Sequence, residues 1–257
     1  MQRTGRGASG TDISIIVMAY NEVATLKGVL DEIEGVMTET SYTYEVIIVD
    51  DGSSDGTDRV ADVAAHESAS TRVVHHSPNL GIGEVYRSGF ESAKGEFLTF
   101  LPADGQFPAS IVAEFAERMG QADLVLGYLP GMKRSFVALA LSRIERLLYR
   151  CLFGPLPHFQ GIMMFRHALL AELGVTLGGR GWGVLMDIIV RSVRSEKVIV
   201  SVPTQLRARV DGESKVNNLR SVRANLVQAL ALWWSLRSKP VQPNTASRFR
   251  ERVPTPN

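Results

Sequence analysis

The sequence predicts an α/β protein: a Rossmann-like, doubly wound and mostly parallel sheet with helices on its faces. Three features predict it. Short β-branched runs alternate with longer helical patterns through the first half of the chain. The runs are continuous in apolar residues, as in Val46-Ile47-Ile48-Val49, which is the pattern of a strand covered on both faces. Polar turns rich in Gly and Ser follow the strands and feed the next helix, and this alternation is that of βαβ units.

The first strand is Ile13 to Met18, followed by a helix from Glu22 to Met37. Val46 to Val49 is the second strand, Arg72 to His75 the third, Phe97 to Leu101 the fourth and Leu124 to Leu126 the fifth. Helices are expected between them at Gly56 to His66, Gly81 to Lys94 and Ala109 to Met119. The second half is less regular. A basic helix is expected over Lys133 to Leu152, a short strand over Gly161 to Phe165 and a helix over Val184 to Ser195. Val198 to Val200 and Gln205 to Arg207 flank Pro203 as one bent strand or two short ones, and a last helix runs from Asn218 to Arg237.

The 257 residues suffice for one sizeable domain, and no linker-like stretch divides them. Residues 1–11 are polar and Gly-rich and read as a disordered tail rather than a signal peptide, and 240–257 read as a second disordered tail. The most apolar stretch, Leu226 to Leu236, is too short to span a bilayer. A formal net charge of +1 argues against nucleic acid as the main partner. Cys151 is the single cysteine, so an internal disulfide is excluded, and it is expected as a small core residue at a helix end.

In an open parallel sheet, ligands bind beyond the carboxyl ends of the strands, where strand order reverses. Ala19-Tyr20-Asn21-Glu22 follows the first strand, Asp50-Asp51-Gly52-Ser53-Ser54-Asp55-Gly56-Thr57 the second, and Pro102-Ala103-Asp104-Gly105-Gln106 the fourth. Asp50 and Asp51 place hydrogen-bond acceptors where a base and a ribose could sit. Ser54, Asp55 or Thr57 could equally cap the following helix. Gly81-Ile82-Gly83 is not a dinucleotide fingerprint, because Tyr86 stands at its third glycine and it follows the third strand. His158, a lone histidine beside prolines, reads as structural rather than as a general base.

Met18-Ala19-Tyr20-Asn21-Glu22, Val49 to Thr57, Asn79-Leu80-Gly81-Ile82-Gly83, Ser92 to Glu96 and Arg209-Val210-Asp211-Gly212-Glu213-Ser214-Lys215 resemble, in order, the family-2 glycosyltransferases of the GT-A fold. Within these the chain is similar to the dolichol-phosphate mannose synthase, or polyprenyl-phosphate glycosyltransferase, branch. The resemblance implies a GT-A domain over 12–239, with a nucleotide-sugar-binding half at 12–127 and an acceptor-binding half with the C-terminal helix at 128–239. It implies that Ala19, Tyr20, Glu22, Asp50, Asp51 and Asp104 hold the nucleotide sugar, and that Arg209, Ser214 and Lys215 bind phosphate. It implies a divalent metal, Mg2+ or Mn2+, on Asp104 and Gln106, a hard ion suited to oxygen ligands shared with a diphosphate. Asp104 and Asp187 are the implied catalytic carboxylates.

Three departures accompany the matches. Pro102 stands where the family's metal segment begins with Asp, which leaves Asp104 and Gln106 and weakens the site. Gly127-Tyr128-Leu129-Pro130 and Gln160-Gly161-Ile162-Met163 lack the arginines that the branch carries there, and Lys133 or Arg134 are substitutes in reach along the sequence. The implied reaction moves a sugar from a GDP-mannose-like or UDP-sugar donor to a polyprenyl phosphate, with inversion. A soluble small-molecule acceptor and a catalytically silent sugar-nucleotide-binding protein are the alternatives, the first motivated by Leu129 and Met163 and the second by Pro102.

From Arg207 to Lys239 the chain carries seven Lys and Arg against Asp211 and Glu213. Leu219, Val222, Leu226, Leu230, Trp233 and Trp234 are expected largely along one side of the last helix. Such a stripe packs on the sheet or on a second copy in a homodimer, or rests in a membrane interface. The expected location is cytoplasmic, with any membrane contact peripheral.

Overall fold

A computed structural model describes residues 10–130, 147–159, 161–175, 177, 183–207, 229–234 and 236. The strands are β1 (Ile13–Ala19), β2 (Tyr44–Asp50), β3 (Thr71–His75), β4 (Phe97–Pro102), β5 (Leu124–Tyr128), β6 (Met163–Arg166) and β7 (Ile199–Pro203). The helices are α1 (Leu26–Thr38), α2 (Thr57–Glu67), α3 (Ile82–Ser92), α4 (Ser110–Met119), α5 (147–153), α6 (Ala168–Glu172), α7 (Gly183–Arg194) and α8 (229–234).

Among the described residues the strands form one sheet in the order β3-β2-β1-β4-β6-β5-β7. β1 lies parallel to β2 and to β4, β2 to β3, and β5 to β7. The expected short strand after Gly161 is β6, and it runs antiparallel to both β4 and β5. The β-branched residues of β1 sit in the middle of this sheet, and Ile13, Ile15, Ile16 and Val17 are fully buried. Alternate side chains of β1 point to opposite faces. Ile13, Ile15 and Val17 pack with Leu26 and Ile33 of α1 and with Val112 and Phe115 of α4. Ile16 packs on the other face with Tyr86 and Phe90 of α3 and Leu185 and Ile188 of α7.

Four expectations are corrected. The first helix begins at Leu26 rather than Glu22, because Asn21 takes a left-handed φ of 55° and residues 21–23 are held by the loop after β2. The segment around Pro203 is one strand ending at that proline, and residues 204–207 lie outside the sheet. Cys151 is exposed. It lies one turn after the exposed Leu147, while Phe153 points inward. On α8 the buried seam is Ala229 and Leu236 with the partly buried Leu232 and Trp233. Leu230 and Trp234, one turn apart, point outward at 51% and 70% exposure. Leu219, Val222 and Leu226 lie outside the described residues.

Candidate active site

Strand pairing decides which side chains meet at the sheet's carboxyl edge. Ala19 of β1 pairs with Asp50 of β2, Asp50 pairs with His75 of β3, and Met18 pairs with Pro102 of β4. The ladder runs one step beyond the strands: Asp51 N donates to Ala19 O at 2.9 Å, His76 N to Asp50 O at 2.8 Å, and Ala103 N to Met18 O at 2.9 Å. Asp50 and Asp51 therefore leave β2, and Asp104 leaves β4, at one level on either side of β1. Strand order reverses between β1 and β4, the place where open α/β sheets hold their ligands.

Three loops meet around these ends and are tied to one another. Asn21 N donates to Ser53 Oγ at 2.9 Å, Glu22 N to Thr57 Oγ1 at 2.8 Å and Val23 N to Asp55 Oδ2 at 3.1 Å. Ser54 N returns a bond to Asn21 Oδ1 at 2.9 Å. The Ser, Asp and Thr of the turn thus hold the β1–α1 loop, and the N-cap of α2 is Gly56, without a side-chain cap bond. The third loop, after β3, binds Asp51. His76 Nδ1 lies 2.8 Å from Asp51 Oδ1, Leu80 N donates to the same oxygen at 2.9 Å, and Gly81 N donates to Oδ2 at 2.9 Å. Asn79 Nδ2 donates to Asp51 O at 2.8 Å. This close approach needs glycine at position 52. Its φ is +73°, and a Cβ there would lie 2.8 Å from Asn79 N.

Asp50 is also buried. Ser53 N donates to its Oδ1 at 3.2 Å, and His75 Nδ1 lies 3.1 Å from its Oδ2. The burial cost of each carboxylate is thereby offset by hydrogen bonds. Ala19 is buried, Tyr20 is 42% exposed, and Glu22 Oε2 accepts from Thr25 Oγ1 at 3.0 Å.

At the end of β4, Asp104 is half-buried and its Oδ1 accepts Gln106 N at 3.1 Å. Gln106 O accepts Arg207 N at 2.8 Å, which sets the segment leaving β7 beside the Asp104 loop. Arg207 reaches across to Glu32 of α1 with Nη1 to Oε2 at 2.7 Å and Nη2 to Oε1 at 2.8 Å. The same Glu32 accepts Ala109 N, at the start of α4, at 3.1 Å. The Arg207 hydrogen bond holds the Glu32 carboxyl below the usual carboxylate range, against the raising effect of burial.

Asp187 is placed elsewhere. It sits on α7, buried, with Arg191 Nε donating to its Oδ1 at 2.6 Å, and Arg191 Nη1 donates to Leu173 O at 3.0 Å. Arg209, Ser214 and Lys215 lie outside the described residues, as do Lys133 and Arg134. His158 is exposed, with its ring centroid 6.4 Å from that of Tyr128.

Among the described residues no group of three or more His, Cys, Asp or Glu side chains could hold a metal ion. Asp104 and Gln106 both carry side-chain oxygens, the donor type that a hard divalent ion takes. A groove between α1 and α2, lined by Lys27, Asp31, Arg59 and Glu67, opens near Tyr44 and Thr71, at the opposite end of β2 and β3. It has no part in this edge.

His75, His76 and Glu32 were not singled out from sequence. For the histidines a signal exists: two adjacent rings at the end of one strand stand beside two adjacent carboxylates at the end of the next. Glu32 and Arg207 are separated by 175 positions and carry no such signal.

The edge defines a GT-A-type α/β domain, with its polar loops gathered at the switch point. The glycosyl transferase family 2 model matches residues 14–173, and the chain belongs to that family. It is 26% identical over 247 residues to the glycosyltransferase AglD of Haloferax volcanii, covering 91% of this chain and 39% of that protein. It is 29% identical over 215 residues to the undecaprenyl-phosphate mannosyltransferase of Micrococcus luteus, covering 79% of this chain and 86% of that one. Glucosyl-3-phosphoglycerate synthase from Mycobacterium tuberculosis, in its crystal structure with Mn2+, uridine-diphosphate and glucosyl-3-phosphoglycerate, matches with a TM-score of 0.61 at 20% identity. That match covers 88% of this chain and 81% of the other, and it shares the fold.

Proposed function

We propose that this chain transfers a sugar from a nucleoside diphosphate donor to a polyprenyl phosphate, with inversion at the anomeric carbon. The observation that carries the reading is the gathering of Asp50, Asp51 and Asp104 at the ends of β2 and β4, on either side of β1. The family match and the polyprenyl-phosphate relative support it. The donor is GDP-mannose or a UDP-sugar. Asp50 and the loop from Ala19 to Glu22 receive the nucleoside, and Asp51 holds the loop that closes the base side. Asp104 and Gln106 would hold Mg2+ or Mn2+, which supplies positive charge to the departing diphosphate. Arg209, Ser214 and Lys215 are assigned to phosphate contacts.

An acceptor phosphate is anionic near neutrality and attacks without a strong base. For a hydroxyl acceptor, Asp104 is the proton acceptor we favour over Asp187, because Asp187 is already charge-paired with Arg191. A second reading, a soluble acceptor, is favoured by Leu129 and Met163 at positions where the branch carries arginine. No helix among the described residues is long and apolar enough to cross a membrane. Contact with the bilayer would be peripheral, through the outward Leu230 and Trp234.

The test is transfer of labelled sugar from GDP-mannose and UDP-glucose to undecaprenyl phosphate, with Mg2+ or Mn2+, beside Asp104→Ala. Transfer that Asp104→Ala abolishes supports the reading. Tight nucleotide binding without transfer to lipid or soluble acceptors would leave a silent binding protein instead. A thermal-shift series adds a simple control, in which GDP or UDP raises the midpoint and NAD does not.

A further inference from the structure

The ring of His75 lies between two carboxylates. Its Nδ1 is 3.1 Å from Asp50 Oδ2 and its Nε2 is 3.0 Å from Asp62 Oδ1 of α2. A neutral imidazole has one N–H and can donate to one of them, whereas the protonated ring donates to both. From the elements packed on β3, the charged groups that face the ring are Asp50 of β2 and Asp62 of α2. His76, the next residue, is turned to Asp51 and to Ser88 Oγ, each at 2.8 Å.

We propose that His75 is a positioning residue whose charged ring fixes the Asp50 carboxylate for base recognition and links nucleotide affinity to pH. The inference rests on the reading of Asp50 as a nucleoside contact. With Ser53 N on one oxygen and His75 on the other, the Asp50 carboxylate has a single orientation, and each oxygen keeps a lone pair for an N–H of the base. Losing the ring proton removes one of the two imidazole bonds and the positive charge beside Asp50, which weakens the hold on the carboxylate even in the tautomer that keeps Nδ1–H. The Asp62 hydrogen bond, with Asp50 adding to it, raises the His75 pKa above the ordinary histidine value against the lowering effect of burial. The charged form therefore extends toward neutral pH. His75 is exposed at the end of β3, so protons reach it while the fold stays closed.

The experiment is calorimetric titration of the full chain with UDP and GDP from about pH 6 to about pH 9, using wild type, His75→Gln and Asp62→Asn. Wild-type affinity is expected to fall about three- to ten-fold across that range, the size of one hydrogen bond's net contribution. His75→Gln is expected to remove that fall, leaving affinity near the wild-type high-pH level. Asp62→Asn touches neither Asp50 nor the nucleotide, and it is expected to move the fall to lower pH. A purely structural role would not shift the profile this way. NMR of the His75 ring supplies an independent readout, a doubly protonated ring near neutral pH. A pH dependence that survives unchanged in His75→Gln, or a ring neutral near pH ~6, overturns the inference. Absence of UDP and GDP binding at every pH, or binding indifferent to Asp50→Asn, overturns the underlying assignment of Asp50 instead.

Discussion

Single residues at the carboxyl edge act mainly by holding other residues. Asp51 shows this: both of its carboxylate oxygens are engaged by His76 and by two backbone amides, so its first task is to dock the loop after β3. Gly52 permits that docking. Gly52→Ala combines a left-handed φ with a contact at 2.8 Å to a backbone nitrogen that cannot step aside. It should cost about 1–3 kcal/mol of stability, read as a lower urea midpoint, and weaken nucleotide binding. His75 adds a pH dependence of stability. Its folded-state pKa is raised, so its contribution is complete below the ordinary histidine value of 6.5 and is lost as pH rises through the folded-state value. Denaturation curves of wild type and His75→Gln should converge at high pH and separate as pH falls. The two aspartates were legible because adjacent carboxylates before a Gly/Ser turn are conspicuous. The loop that Asp51 docks was not, since that contact depends on amides about 30 positions away.

At the level of elements, the strands were legible and their ends less so. β1 and β2 are covered on both faces, so their composition is apolar without alternation and stands out. α1 could not be placed to the residue, because its first turn is withheld by amide bonds to Ser53, Thr57 and Asp55. α6 went unread because five residues are too few to show a helical period. The direction of β6 is fixed by its pairing with β4 and β5, which a four-residue strand does not encode. Between elements, the pair Asp187–Arg191 joins α7 to the end of α6 through Leu173 O. Both side chains are about one-twentieth exposed. Asp187→Ala leaves a buried guanidinium without its counter-charge and should cost about 3–5 kcal/mol, seen in urea denaturation with a collapse of the α6–α7 contacts. Glu32 joins α1, the start of α4 and the segment after β7. Its folded-state pKa is lowered, so its contribution is present above the ordinary carboxylate value and is lost as pH falls through the folded-state value. Acid unfolding of Glu32→Gln should begin from a lower plateau and change less over that window than wild type.

Across the whole molecule, the fold divides into a half read from local sequence and a half that depends on long-range pairing. β1 to β4 follow one another with helices between them, and their polar loops reach one edge through parallel register alone. β5, β6 and β7 are assembled by a strand of opposite direction. The chain returns to the Asp104 loop at Arg207, two positions before Arg209 in sequence. Glu32→Ala should accordingly raise the donor KM more than it lowers kcat if the Arg207 contact serves donor binding, and steady-state kinetics at saturating acceptor will read the split. The cross-linked turns on the β1–β2–β3 side have a further consequence. The amide protons of Asn21, Glu22, Val23, Ser54, Leu80 and Gly81 all point at protein acceptors, although they belong to surface turns. They should exchange with deuterium slowly in the ligand-free protein and change little when nucleotide is added, which makes this flank a preset anvil against which the rest of the enzyme works.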